Sequence, residues 1–227
     1  MTTLLRKAWL PTVLLAVAFI LAACGSAGGD KQGTGSGGDG GQGTAEKTGG
    51  MAGMDHGEMG MGSKGMARQM VMEGGKYSDE RFIDTMVPHH QGAIEMAEVA
   101  LKDAEHKEIK QLSRNIVSTQ QAEIEELKAI KKGEFGTSQV PMEMSPQQMR
   151  SMGMMMDPQQ LAHSEPFDKA FINAMIPHHQ SAIEMAKVAH EKSKIPKIKE
   201  LAKNIVSAQQ REIDQMKQWR KEWYPEG

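Results

Sequence analysis

Apolar residues recur along two stretches of the chain at intervals of three and four, the spacing of a helix that buries one face. The first stretch carries Phe82, Ile83, Met86, Val87, Ala93, Met96, Ala97 and Ala100. After a short turn around Asp103 to His106, a second carries Ile109, Leu112, Ile116 and Leu127. The whole pattern returns 89 residues later, so that Phe82 to Lys128 aligns without a gap on Phe171 to Lys217. A repeat of this length predicts one structural unit used twice, and the short connections make each unit an antiparallel αα-hairpin. The expected fold class is all-α, a four-helix bundle with hairpins over 76–133 and 167–227.

Local signals set the expected helix ends. Asp79 and its counterpart Asp168 read as N-caps. Gly133 reads as the C-cap of a second helix ending near Lys132, and Pro196 as a first-turn proline of the fourth. Pro88 and Pro177 lie inside their helices. Each removes an amide donor and displaces the carbonyl four residues back, of Asp84 or Asn173, so a kink is expected there, with a break into two short helices as the alternative. Ser145-Pro146 starts a short helix in the 134–166 connection. Trp219, Trp223 and Tyr224 form the last turn, against the end of the bundle.

The N-terminal third has no such periodicity. Arg6 and Lys7 precede an apolar run from Trp9 to Ile20, followed by Leu21-Ala22-Ala23-Cys24. This is the layout of a secretory signal over 1–23. The Leu-Ala-Ala-Cys end resembles the lipobox of bacterial lipoproteins, which implies cleavage before Cys24 and acylation of its sulfur. Acyl chains on that residue would hold the chain on the extracytoplasmic face of a membrane, the outer face or the periplasmic side. Residues 24–50 are rich in Gly and Ser and have almost nothing to bury, so they read as a flexible tether reaching about 30 Å. Residues 51–75 read as a Met/His-rich low-complexity segment, with Met51, Met54, His56, Met59 and Met61 spaced by glycine. The glycine content argues against a stable helix or core there.

At 100° per residue, Met86, His89, His90, Ala93, Met96 and Ala97 fall on one face, repeated as Met175, His178, His179, Ala182, Met185 and Ala186. Glu95 and Glu184 point the other way and are expected in solvent. The second helix offers Thr119, Gln120 and Glu123 on its inward face, matched by Ala208, Gln209 and Glu212. Four histidines, four methionines and two carboxylates would thus meet in one interior. Methionine on such a face is commonly core filler, and Glu123 and Glu212 can simply pair with the histidines. Four buried imidazoles need partners, however, and a metal ion is one.

The methionines of the connection, Met142, Met144, Met152, Met154, Met155 and Met156, form a second set of soft donors. Thioethers select Cu(I), and imidazole suits copper in either oxidation state. The favoured cofactor is therefore copper, as Cu(I), with zinc the weaker candidate because His plus Glu also suits it. The linker methionines could load the bundle site.

The repeated Met-(Val/Ile)-Pro-His-His-Gln-x-Ala-Ile-Glu-Met-Ala, with Asn-Ile-Val-Ser-x-Gln-Gln-x-Glu-Ile further on, resembles a bacterial envelope family catalogued as domain of unknown function 305. The resemblance covers about 82–132 and 167–221. It implies a ferritin-like bundle of two hairpins, and, because copper-binding members with Met/His-rich extensions are known, a role in copper tolerance. The residues that match its motif are Met86, His89, His90 and Met96, then Met175, His178, His179 and Met185.

Three functions follow. The favoured one is a non-catalytic, membrane-anchored copper binder that sequesters Cu(I), and Ag(I) with it, or passes it to a copper chaperone or transporter. An oxidoreductase is disfavoured. No Glu-x-x-His occurs in the chain, as a ferritin-like di-metal site requires, and Cys24 is the sole cysteine, leaving no thiolate for blue copper. A structural or protein-interaction module of the cell envelope is the remaining alternative. A formal net charge of −2 with no basic patch argues against nucleic acid.

Overall fold

The structure, a computed structural model, describes residues 62–226 apart from Met155. Cys24, the signal and tether segments, and Met51, Met54, His56, Met59 and Met61 lie outside the described residues, as does Met155.

The chain enters through a short helix, α1 (Ser63–Gln69), and a two-stranded antiparallel hairpin, β1 (Met72–Glu73) and β2 (Lys76–Tyr77). Gly74 and Gly75 turn it at φ 54° and 77°, a two-residue turn that needs positive φ at both positions. This part of the chain is not the unstructured segment its glycine content suggests. Ala67 and Val71 are fully buried in the core, so tertiary packing overrides the weak local propensity.

Four long helices follow in two hairpins: α2 (Asp79–Asp103) with α3 (Lys107–Phe135), and α6 (Phe167–Lys192) with α7 (Pro196–Trp223). The connection holds two short helices, α4 (Pro146–Ser151) and α5 (Pro158–Ala162). Helix α4 opens with a capping box in which Ser145 and Gln148 satisfy each other's amides. Within each hairpin the helices pack along their length, and the hairpins meet chiefly through α2 and α6. Both long proline-bearing helices run unbroken through Pro88 and Pro177, so the two-helix alternative does not occur.

Several ends differ from the sequence reading. Ser78, not Asp79, caps α2, its hydroxyl accepting from the Arg81 amide at 3.3 Å. Helix α3 continues past Gly133 and stops at Gly136, which has φ 78°. Pro166 sits at the N-cap position of α6. Asp168 instead serves the other hairpin: its carboxylate accepts from the amides of Glu105 (3.1 Å) and His106 (2.8 Å) and from His106 Nδ1 (2.6 Å). His106 offers no capping bond of its own, so α3 takes its N-terminal acceptor from across the bundle. Trp223 stacks on the His106 ring with centroids 3.8 Å apart, and Trp219 stacks on Trp223.

The core is divided in two. One apolar cluster takes Phe82 to Val87 of α2, Ile124 to Ile130 of α3, Ala182 to Ala189 of α6 and Ile198 to Ile205 of α7. The other takes Ala93 to Ala104, Ile109 to Ile116, Phe167 to Met175, and Ile213 with Met216. Phe82 and Phe171, equivalent in the duplication, are fully buried in opposite clusters, and each such ring contributes about 1.5–3 kcal/mol. The histidine pairs fall between the clusters on both α2 and α6.

Candidate metal centre

The waist between the clusters is a buried polar layer. His89, His90, His178 and His179 have no exposed surface, and Gln120, Glu123 and Gln209 are also buried. The layer follows the pseudo-symmetry of the chain. His89 and His178 stack across the hairpin interface with ring centroids 3.8 Å apart and planes at 42°. Outside them, His90 Nε2 lies 2.8 Å from Glu123 Oε2 and His179 Nε2 lies 2.7 Å from Glu212 Oε2, each within its own hairpin. The row therefore reads Glu, His, His, His, His, Glu.

Hydrogen bonding assigns the lone pairs. His89 Nε2 lies 3.2 Å from the Met152 carbonyl and 2.8 Å from Ser181 Oγ. A carbonyl can only accept, so Nε2 carries the proton and Nδ1 keeps its lone pair. By the same logic Glu212, accepting from His179 Nε2, leaves the lone pair on Nδ1 of His179. Nδ1 of His89 and of His179 is buried without a hydrogen-bond partner, and on His90 and His178 neither ring nitrogen has one, His90 Nε2 meeting Glu123 without hydrogen-bond geometry; Gln209 likewise has none on its amide. Buried polar atoms are usually satisfied, so a whole layer left open in an otherwise packed bundle fits a ligand with electron-accepting character. Burial, then the charges of His90 and His179, hold His89 well below the ordinary histidine range. Burial, then the charges of the other three histidines, does the same to His178. Both rings are neutral near pH 7, the form that binds metal.

Other residues proposed from the sequence fall differently. Met86 and Met185 pack in the first apolar cluster, Met175 in the second. Met96 belongs to the second cluster but also lines a cleft with Met149, Met154 and Met156. Met152 is buried, and it is its carbonyl that reaches His89. Met142 is exposed, and Met144 lines a surface groove beside Pro88. Thr119 faces solvent, and so does Glu95. Glu184 does not: it is 5% exposed, because α1 covers it and Arg68 Nη2 reaches its Oε2 at 2.6 Å, with Lys187 on the other oxygen at 3.1 Å. Helical periodicity could not show this, since α1 comes from the segment read as low-complexity.

Sequence reasoning also missed Ser181 and Gly153. Ser181 Oγ lies 2.6 Å from the Met152 carbonyl and 2.7 Å from that of His178. Gly153 has φ 71°, and a side chain there would come within 2.5 Å of the Pro177 carbonyl. That close approach lets the 152–154 strap lie directly on α6. A Met-Gly-Met sequence was the available signal.

Among the described residues no three His, Cys, Asp or Glu side chains form a ready-made metal cage. A tetrahedral zinc site of histidine and carboxylate is thus not preformed there. One thioether, that of Met154, shares the space beside Gly92 with His178 Nε2.

A duplicated four-helix bundle with a histidine waist is the class of protein this fold defines. The chain belongs to the family described as Domain of unknown function (DUF305), whose sequence profile matches residues 25–131 and again 79–220. It is similar to CopM, solved in a Cu(I)-bound form, with 40% identity, a TM-score of 0.58, and coverage of 66% of this chain and 99% of that one. The Cu(II)-bound form of CopM gives 41% identity and a TM-score of 0.60 over 65% and 99%. A DUF305 fragment from Deinococcus radiodurans shares 26% identity at a TM-score of 0.55, over 61% of this chain and 92% of that one. The uncharacterized protein L153 of Acanthamoeba polyphaga mimivirus is 49% identical over 49 residues, which span 22% of this chain and about a third (32%) of that protein's length.

Proposed function

We propose that this chain binds copper, Cu(I) in preference, at the histidine waist, and that it holds the ion outside the cytoplasm for sequestration or hand-over to a copper chaperone or transporter. The carrying observation is the layer of buried imidazoles of His89, His90, His178 and His179, each with a ring nitrogen that has no hydrogen-bond partner. The likeness to a protein solved with Cu(I) and Cu(II) supports the choice of metal. Silver belongs in the same reading, since CopM is also solved in an Ag-bound form.

In this reading copper is cargo, and the protein supplies donors and a dry surround. His89 and His178 are the central ligands. Glu123 and Glu212 act one step back, fixing the orientation of His90 and His179 as carboxylates commonly do for metal-binding imidazoles. Met86, Met175 and Met185 pack the walls. No catalytic step is part of the proposal. The membrane tie rests on acylation at Cys24; no helix among the described residues is long and apolar enough to cross a membrane.

The test is a Cu(I) titration against a competing chelator, using protein that begins after Cys24. A variant with His89 and His178 changed to Ala is compared, with its helicity checked by circular dichroism. The expected loss exceeds the roughly 10–100-fold that removal of a supporting partner costs. Unchanged affinity in a folded variant would move copper away from the waist. No binding by either protein would favour the interaction-module reading.

A further inference from the structure

The two halves of the waist differ at one position. Ser181 and Gly92 are equivalent in the duplication, and each faces the histidine of the opposite hairpin. Ser181 Oγ covers His89 Nε2 at 2.8 Å. Gly92 has no side chain with which to cover His178, and the space is taken by Met154. A methyl group built on Gly92 would collide with Met154 Cε and stand 3.7 Å from its sulfur and 3.6 Å from His178 Nε2. The thioether and a fully buried, unpartnered imidazole nitrogen therefore flank the same spot.

The surface outside follows the same asymmetry. On the Gly92 side lies a cleft of about 410 Å³ lined by Met96, Met149, Met154 and Met156, with the exposed carboxylates Glu95 and Asp157 at its margin. On the Ser181 side lies a smaller cleft of about 100 Å³, lined by Lys64 and Arg150 and by no methionine. Acidic groups at one mouth raise the local concentration of a cation, and basic groups at the other lower it.

We propose that a soft monovalent cation reaches the waist from one side only, through the methionine cleft, with Met154 handing it to His178. Building on the copper-binding reading above, this assigns the loading route and its first imidazole ligand. Thioether sulfur binds such an ion without competing for protons, and Met154 fills the space beside Gly92 that borders His178 Nε2. The Ser181 side stays shut because its hydroxyl and the Met152 carbonyl already hold His89 Nε2.

Two variants test the route in the mature protein. Met154→Leu keeps the plug and removes the sulfur. Gly92→Ser displaces the thioether and brings a hydroxyl to His178, copying the other repeat; a helical glycine tolerates the change. Stopped-flow transfer of Cu(I) from a weak chelator should slow severalfold in both, while Arg150→Ala on the opposite cleft loads as the parent does. Independently, the first equivalent of Ag(I) added to protein labelled in its methionine methyl groups should shift the Met154 resonance ahead of Met142. If both variants load at the parental rate and Met142 responds first, the route is wrong, although a His89/His178 variant that fails to bind would leave the waist reading standing. If that variant binds normally, the waist reading and the route fall together.

Discussion

His89 and His178, equivalent residues of the two repeats, meet in the centre of the bundle with ring centroids 3.8 Å apart and planes tilted by 42°. Two cations cannot share that position in a dry core, and burial with the neighbouring imidazoles holds both rings well below the ordinary histidine range. The unfolded chain, whose histidines titrate near pH 6.5, takes up these protons first. Stability is therefore full above about pH 6.5 and is lost as pH falls toward the folded-state values, at up to about 1.4 kcal/mol per pH unit for each ring. Urea midpoints of chelator-treated protein should drop between pH 7.5 and 5, and His178→Leu should flatten the profile. A pH-independent midpoint would contradict neutral burial.

Arg68→Ala should cost about 1–2 kcal/mol, a partly exposed arginine on a buried carboxylate being worth less than a fully buried pair. Glu184 would be raised by burial, but Arg68 and Lys187 outweigh it and hold the carboxyl below its usual range. Removing the arginine also frees α1, so amide exchange should accelerate over 63–77 more than in α2. Uniform exchange changes would show that α1 is not held by this contact.

Asp168→Ala should destabilise by about 1–2 kcal/mol, the usual worth of a good N-cap. Its carboxylate is 1% exposed and accepts from two amides at the start of α3. Because His106 stacks on Trp223, the loss should also appear as altered tryptophan fluorescence in the folded protein. Unchanged fluorescence and stability would remove Asp168 from the hairpin contact.

Gly153→Ala should cost about 1–3 kcal/mol through a strained backbone alone, and more if the strap lifts from Pro177. Lifting it would take the Met152 carbonyl from His89, which the His89 side-chain resonances would report. A variant as stable as the parent, with those resonances unmoved, would mean that the strap does not need the close approach.

Much of the fold was legible because the repeat announces itself: the 89-residue offset gives two hairpins, and helical spacing turns both histidine pairs inward. That Glu123 and Glu212 face the histidines also follows from that spacing, although which ring each meets, His90 and His179, is seen only in the structure. What stayed hidden depends on contacts between segments far apart in sequence. Asp168 looked like the cap of its own helix but serves α3. Glu184 looked solvated until α1 covered it. Gly92 and Ser181 stood in plain view as a difference between the two motifs, yet their meaning required the irregular 152–154 strap, which has no periodicity to read.

The central claim is that copper sits in the waist rather than on the peripheral methionines. Anomalous diffraction at the copper edge from crystals of Cu(I)-loaded protein addresses it directly. The account predicts the strongest peak between α2 and α6, within bonding distance of a His89 or His178 ring nitrogen. Peaks confined to exposed methionines such as Met66 and Met142, with none between the histidine pairs, would contradict it.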